Sequence, residues 1–562
     1  MNMNKNLKNG LFMLVAGALA TSCADYNDLG GFKADPDPTY EEAYTDLGPV
    51  KSYLDTEKYP NMSIGTTLKV ADFNKQELLH AAAMTNFTSV AFGTDLMSGK
   101  IVNEKGIMNF LDMMDLLAHA EDINANVYGS PIVANANQAD GWLKYLTSPI
   151  EIQVDPIVDK YVDYTTMDEF TGTHVGDKVP TIVKDYDGPG VNALKVPKNS
   201  KAYIVEGFDI DPLGEYTITF TAKVDKEVSI MCTFAGSRIM EDEKNGKKFV
   251  IKPGKWQKVT IETTPPDGAT DGYLMTEGNR NSEIYIKDVK VVHNPDNHRP
   301  QTDEEIKDTI NYALNTWCET LMKYNEGRIK SFDLIDEPID TKVLEGVTYE
   351  GEPVFDLKHS TETIYWQDKL GSENYAPIVS KLASAAFEKH GGNLSELKFF
   401  ISESNLDNAK KLKSLKYWIE KWDAKGAKID GINAKLNLTY SEDEATQTAN
   451  EATVVTLLEN LAATGKLIRI SNFDIKYQDA DGASVTPVQI TPEQRQKLAD
   501  YYAFVIRNYM NKIPNEQQAG ICKTNMVDTT SDPVGLWSEN KDTKNWSRTA
   551  TYKAFCDALS GK

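Results

Sequence analysis

Cysteine and histidine are scarce in this 562-residue chain, at five and seven residues. No CxxC, HxxxH or HExxH spacing occurs among them, which removes the usual zinc signatures and gives no reason to expect a metal or any other cofactor. Cys318 and Cys556 fall in helical patterns and read as small core residues. A long apolar run is also missing. The most hydrophobic stretch, Leu11–Ala20, is far shorter than the roughly 20 residues that a membrane-spanning helix needs. Positive charge is in deficit, with 60 Lys and Arg against 83 Asp and Glu, a net of −23. Such a surface repels phosphate backbones, so nucleic acid is excluded as a partner, whereas neutral sugars are indifferent to it.

What is present begins with targeting. Lys5 and Lys8 precede the apolar run, and Ala20, Thr21 and Ser22 lead into Cys23. This resembles a bacterial lipoprotein signal, which implies lipidation at Cys23. Asp25 and Asp28 resemble the surface-export signals of Bacteroidetes lipoproteins. The expected location is therefore the outer membrane, lipid-anchored and facing outward. An ordinary secretory signal with a chance Cys is the alternative. Residues 24–60, rich in Asp, Pro, Gly and Tyr without helical period, read as a tether.

From 61 to 147 strands and helices alternate: MSIGTTLKV, NFTSVAFGT and ANVYGSPIV are strand-like, with amphipathic helices between them. Between 148 and 298 helical period gives way to short alternating runs such as EYTITFTAKV and EIYIKDVKVV, broken by turn residues. This predicts an all-β sandwich. Alternation then resumes over 299–562, through KSFDLID, LKFFISE, IDGINAKL, KLIRISNF and AGICKTNM. Three strands before the insert and five after it predict an α/β fold, a (β/α)8 barrel with the sandwich inserted after strand three. Functional groups belong at the strands' C-terminal ends, and the insert sits on that same face.

At the tip of strand four stand Asp336 and Glu337. Glu337 is a candidate general acid, with Asp336 tuning its proton affinity; two solvated loop carboxylates are the plainer alternative. Tyr365, Trp366 and Trp537 are candidates to line a glycan groove. Trp256 begins a strand that points it the same way as Lys258 and Thr260, and it joins Tyr273 and Tyr285 as a candidate for stacking on sugar rings; core packing is the alternative use of such aromatics.

The order of these motifs resembles glycoside hydrolase family 10, the endo-xylanases. FDLIDE is similar to that family's strand-four WDVVNE, LKFFISESN to LFINDYN, IDGINAKLN to IDGIGLQGH, and LIRISNFDI to the nucleophile strand ending TELDI. The resemblance implies Glu337 as acid/base and places Asn472 where the family has its nucleophile, with Asp474 keeping the register. Other sugar-gripping positions are also changed: Ser130, Ala134 and Asn135 replace two His and a Trp, and Lys435 and Asn437 replace a Gln and a His. Gly93 and Thr94 stand where strand two has its acidic and amide residues. An Asn amide oxygen is a poor nucleophile, so the chain reads first as a degenerate, polysaccharide-binding form. The alternatives are an active glycosidase, of endo-xylanase or substrate-assisted hexosaminidase type (the latter with Asp336 orienting the sugar's acetamide), or an inverting enzyme with Asp528 or Glu403 as base. A purely structural part of a surface glycan-uptake complex is the third class. The sandwich resembles the carbohydrate-binding modules of families 4 and 22 in architecture.

Overall fold

The computed structural model describes residues 44, 46–239, 249–277, 281–542 and 544–562. The signal, Cys23 and most of the expected tether lie outside the described residues. The chain divides into two compact units, one made of 1–147 with 302–562 and the other of 148–301.

The first unit is a barrel of eight parallel strands. They are β1 Ser63–Thr67, β2 Ser89–Ala91, β3 in two pieces (Asn126–Tyr128 and Val133–Ala134), β4 Ser331–Asp336, β5 Lys398–Ser404, β6 Gly431–Ser441, β7 Leu467–Gln478 and β8 Gln518–Lys523. Strand β3 closes the ring, because its first piece pairs with β2 and its second with β4. Between the pieces Gly129 bridges to Phe332. A Cβ at 129 would sit 2.1 Å from the Phe332 ring, so only glycine lets β3 pass there. Eight principal helices flank the strands: α1 Leu78–Asn86, α2 Leu111–Asp122, α3 Asp303–Asn325, α4 Tyr375–Lys389, α5 Ala409–Ala424, α6 Glu444–Ala462, α7 Pro492–Lys512 and α8 Ala550–Leu559. All eight strands are those the apolar patterning predicts. Helix α3 opens on the Thr302/Glu305 capping box that the sequence shows.

Residues 46–60 correct the expected tether. Val50 is fully buried, its N–H donates to Asn86 Oδ1 at 3.2 Å, and Lys51 Nζ donates to the Met84 carbonyl at 2.7 Å. Val50, Leu54 and Tyr59 bury themselves in the barrel's core cluster; their irregular spacing hides this from a periodicity reading.

The second unit is a β-sandwich. One sheet carries five strands, built around Lys201–Asp209 and Asp271–Glu277. The other carries six, five on its main path and Ile157–Asp163 beside Ile284–Asn294 off it, built around Glu215–Val224 and Ile284–Asn294. Strand Glu215–Val224 alternates strictly between buried and less buried positions, as a strand with one core face must. Ile204, Ile218, Leu274 and Ile286 meet in the core. A short ladder of Ile150–Glu151 with His298–Arg299 joins the two ends of this unit, which spans 148–301.

One partly buried pair makes the barrel's outer layer sensitive to acid. His80 Nε2 on α1 lies 2.9 Å from His119 Nε2 on α2, close enough for one proton to serve both. Burial first, and the charge of His119 second, push His80 down to about 4. A base held below its usual value favours the folded state above that usual value. Stability from this site is therefore lost as pH falls from 6.5 toward 4. Between pH 7 and pH 4.5 the wild type should lose about 2 kcal/mol more than His80→Gln, measured by urea unfolding. Equal losses would show that the pair does not titrate in this way.

Candidate functional site

The tips of β4–β7 gather most of the polar residues singled out in the sequence. Three residues there adopt left-handed backbone: Glu337 just past β4 at φ 47°, Asn405 just past β5 at 54° and Asn472 within β7 at 52°. Asn tolerates this region; glutamate does so at a cost, and such strain gathers at functional sites. Register shifts between Lys435 and Asn437 in the β6–β7 ladder, and between Ile470 and Phe473 in the β7–β8 ladder, bend the same tips. Glu337 is held in place by its N–H, which donates to the Ser402 carbonyl at 2.8 Å.

Lys435 organises the site. Its Nζ lies 2.5 Å from Asp336 Oδ1 and 3.1 Å from Glu337 Oε1, while Lys358 Nζ lies 3.6 Å from Glu337 Oε2. Ser402 Oγ donates to the same Asp336 oxygen at 2.6 Å. Burial works to raise the Glu337 pKa. Lys435, by charge and hydrogen bond, then Lys358 and Lys411 outweigh it and hold the carboxyl below its usual range. Burial likewise works to lower Lys435, and Asp336 and Glu337 together raise it instead. Glu337 is therefore an anion paired with lysines. A general acid needs the opposite shift.

The other carboxylates singled out in the sequence are already engaged. Glu403 is fully buried, pairs with Lys411 at 2.7 Å and accepts from the Ile339 and Ser404 N–H groups, each at 3.0 Å. Burial raises its pKa despite Lys411. Asp528 pairs with Arg495 at 2.8 Å and accepts the Gly535 N–H at 2.8 Å. Asp474 is paired with Lys523 and accepts from Asn525 Nδ2 at 2.6 Å. These interactions engage Glu403 and Asp528 with cations, which weighs against the alternative of an inverting enzyme that uses one of them as base. Among the described residues no group of three His, Cys, Asp or Glu side chains is placed to hold a metal.

Asn437 is exposed and Asn472 half-buried; Asn135, half-buried, accepts from Gln367 Nε2 at 3.1 Å. Tyr365 is half-buried and caps the short helix Trp366–Leu370. Trp366 and Trp537 correct the sequence reading. They are 4% and 8% exposed and belong to the barrel core, Trp537 packing 5.2 Å from the Tyr552 ring. Rings used in this way leave little face for a sugar.

In the sandwich, Trp256 is half-buried beneath Lys287, whose Nζ lies 4.6 Å from the ring centroid. Tyr285 is 8% exposed under Tyr186, their rings stacked 4.1 Å apart, so it offers no open face either. Tyr273 keeps partial exposure and lies 4.7 Å from Tyr203 on the five-stranded sheet. Sequence reasoning missed Tyr203, although its alternation within KAYIVEGF places it on the outer face. Lys358, Lys411 and Ser402 carried no signal in the sequence, because nothing local marks a lysine as the partner of a distant glutamate.

Residues 293–557 match the family model described as glycosyl hydrolase family 10. Among solved structures, the chain is similar to xylanase B from Clostridium stercorarium F9. That match has TM-score 0.50 at 10% identity, over 91% of this chain and 100% of that one. Native xylanase10C from Cellvibrio japonicus matches at TM-score 0.50 and 11% identity, over 92% of this chain and 73% of that one. A GH10 endoxylanase from a sugarcane soil metagenome matches at 0.50 and 9%, over 91% and 100%. At these identities the structures show the fold. No curated protein matches the chain.

Proposed function

We propose that this protein binds a polysaccharide across the tips of its barrel strands without cleaving it, as a lipid-anchored component of a bacterial outer surface. The observation that carries the reading is the pairing of Glu337 with Lys435 and Lys358, which holds it ionised. Asn472 at the family's nucleophile position supports it, since retaining hydrolysis needs a second carboxylate. The engagement of Asp336 by Lys435 and Ser402 weighs against a role in orienting a substrate acetamide. The anchoring rests on the lipoprotein-like run ending at Cys23, and participation in a glycan-uptake complex rests on that placement.

The second reading is an active glycosidase of endo-xylanase type. The family match favours it, and so do the names of the similar structures, all of them xylanases. Xylan, mannan and amino-sugar glycans titrated calorimetrically, beside a reducing-sugar assay, separate the two. Binding of one glycan with no reducing ends above the blank is the expected result. Release that disappears in Glu337→Gln would establish the enzyme instead. Neither binding nor release would leave the structural role.

A further inference from the structure

The opposite mouth of the barrel, at the N-terminal ends of its strands, holds a cavity of about 820 Å³. Barrel interiors are ordinarily filled by layers of bulky branched side chains. Here Ser63, Ser89, Ser331 and Ala519 line the mouth and leave it open. At its floor Arg469 is 5% exposed. Its guanidinium carbon lies 3.7 Å from the Tyr128 ring centroid, and one N–H donates to Asn433 Oδ1 at 3.1 Å. Asp333 meets it only indirectly: Asn433 Nδ2 donates to both Asp333 oxygens at 3.0 Å, and Tyr128 donates to one at 2.7 Å. Among the described residues no carboxylate lies within 4.0 Å of the Arg469 nitrogens. The charge of buried Asp333, across Asn433, and a hydrogen bond with Cys522 offset the cost of burying this cation, while its remaining guanidinium N–H groups have no acceptor among the described residues.

In the rest of the lining cations outnumber carboxylates. Arg328, Lys330 and Lys398 join Arg469, against Glu121 and Glu516, in a chain whose net charge is −23; Arg328 is held by Glu326 at 2.7 Å and Glu121 at 4.0 Å. Lys398 has an alternative partner in Asp430 at 3.5 Å, and Lys330 in Glu396. These two pairs are partly solvent-exposed and exchange readily for a ligand. We propose that this mouth is a second binding site, separate from the strand tips, which takes the carboxylate or phosphate oxyanion of a small molecule on Arg469. The volume suits a metabolite and is too large for one or two structural waters.

Thermal unfolding and calorimetry of the intact protein test this with inorganic phosphate and, separately, citrate, each against sodium chloride at equal ionic strength. One anion should raise Tm by about 2 °C at 10 mM and show a heat of binding. A response to phosphate alone assigns phosphate esters; a response to citrate alone assigns polycarboxylates. Arg469→Met should abolish the response, but the loss of a buried cation can also prevent folding. Ser331→Leu serves as the second variant, since it fills the mouth and keeps Arg469. No response beyond chloride, or one unchanged in Ser331→Leu, overturns the proposal.

Discussion

Replacing Lys435 with methionine is expected to cost about 3 kcal/mol of stability at pH 7, measured by urea unfolding. Methionine keeps the length of the side chain and removes the charge. Asp336 and Glu337, adjacent in sequence and now without their shared cation, would then repel each other in a poorly solvated site. At least one carboxyl should rise above its usual value near 4.5. A raised acid destabilises the fold only while it is ionised, so the deficit against wild type should shrink as pH falls from 7 toward 4. In wild type the sign is reversed. Glu337 is held low, so its contribution is present above the usual value and drains as pH falls below it. A deficit that is constant between pH 7 and pH 4 would show that lost packing accounts for the effect. Restoration of glycoside cleavage in the variant would mean that Lys435 alone silences Glu337.

Lys411→Met should be at least as damaging, at about 3–5 kcal/mol. Glu403 has no exposed surface, and Lys411 is its only cationic partner among the described residues. The two N–H groups it accepts, from Ile339 and Ser404, fix the chain on either side of the strand tips. With Lys411 removed, a buried carboxylate would remain unneutralised. Glu403→Gln in the same background should recover part of the loss, because a neutral amide still accepts one of these hydrogen bonds. Denaturation of the two single variants and the double variant measures this coupling. Additive losses would show that the pair is not coupled. Glu403 would be excluded as a catalytic base if Glu403→Gln folds and leaves any measured glycan binding unchanged.

Most of the architecture was legible because it rests on local period. Alternating apolar runs mark strands wherever one face is buried, and three- and four-residue steps mark helices, so the eight barrel units and the inserted sandwich could be read in order. Thr302 with Glu305, a local hydrogen-bonding pattern, was visible for the same reason. The position of Glu337 at a strand tip followed from the register of FDLIDE. Partner choice was not legible. Lys435 reaches Glu337 across 98 residues, and only the side-by-side placement of the strands in the closed barrel brings β6 within reach of β4. The same closure decided that Trp366 and Trp537 serve the core, that Asp528 belongs to Arg495, and that residues 46–60 lie on the barrel. A sequence fixes which residues can be buried or charged, because that depends on each side chain and its near neighbours. Which charge meets which, and which aromatic keeps an open face, depends on distant segments sharing one volume, and only the folded chain determines it.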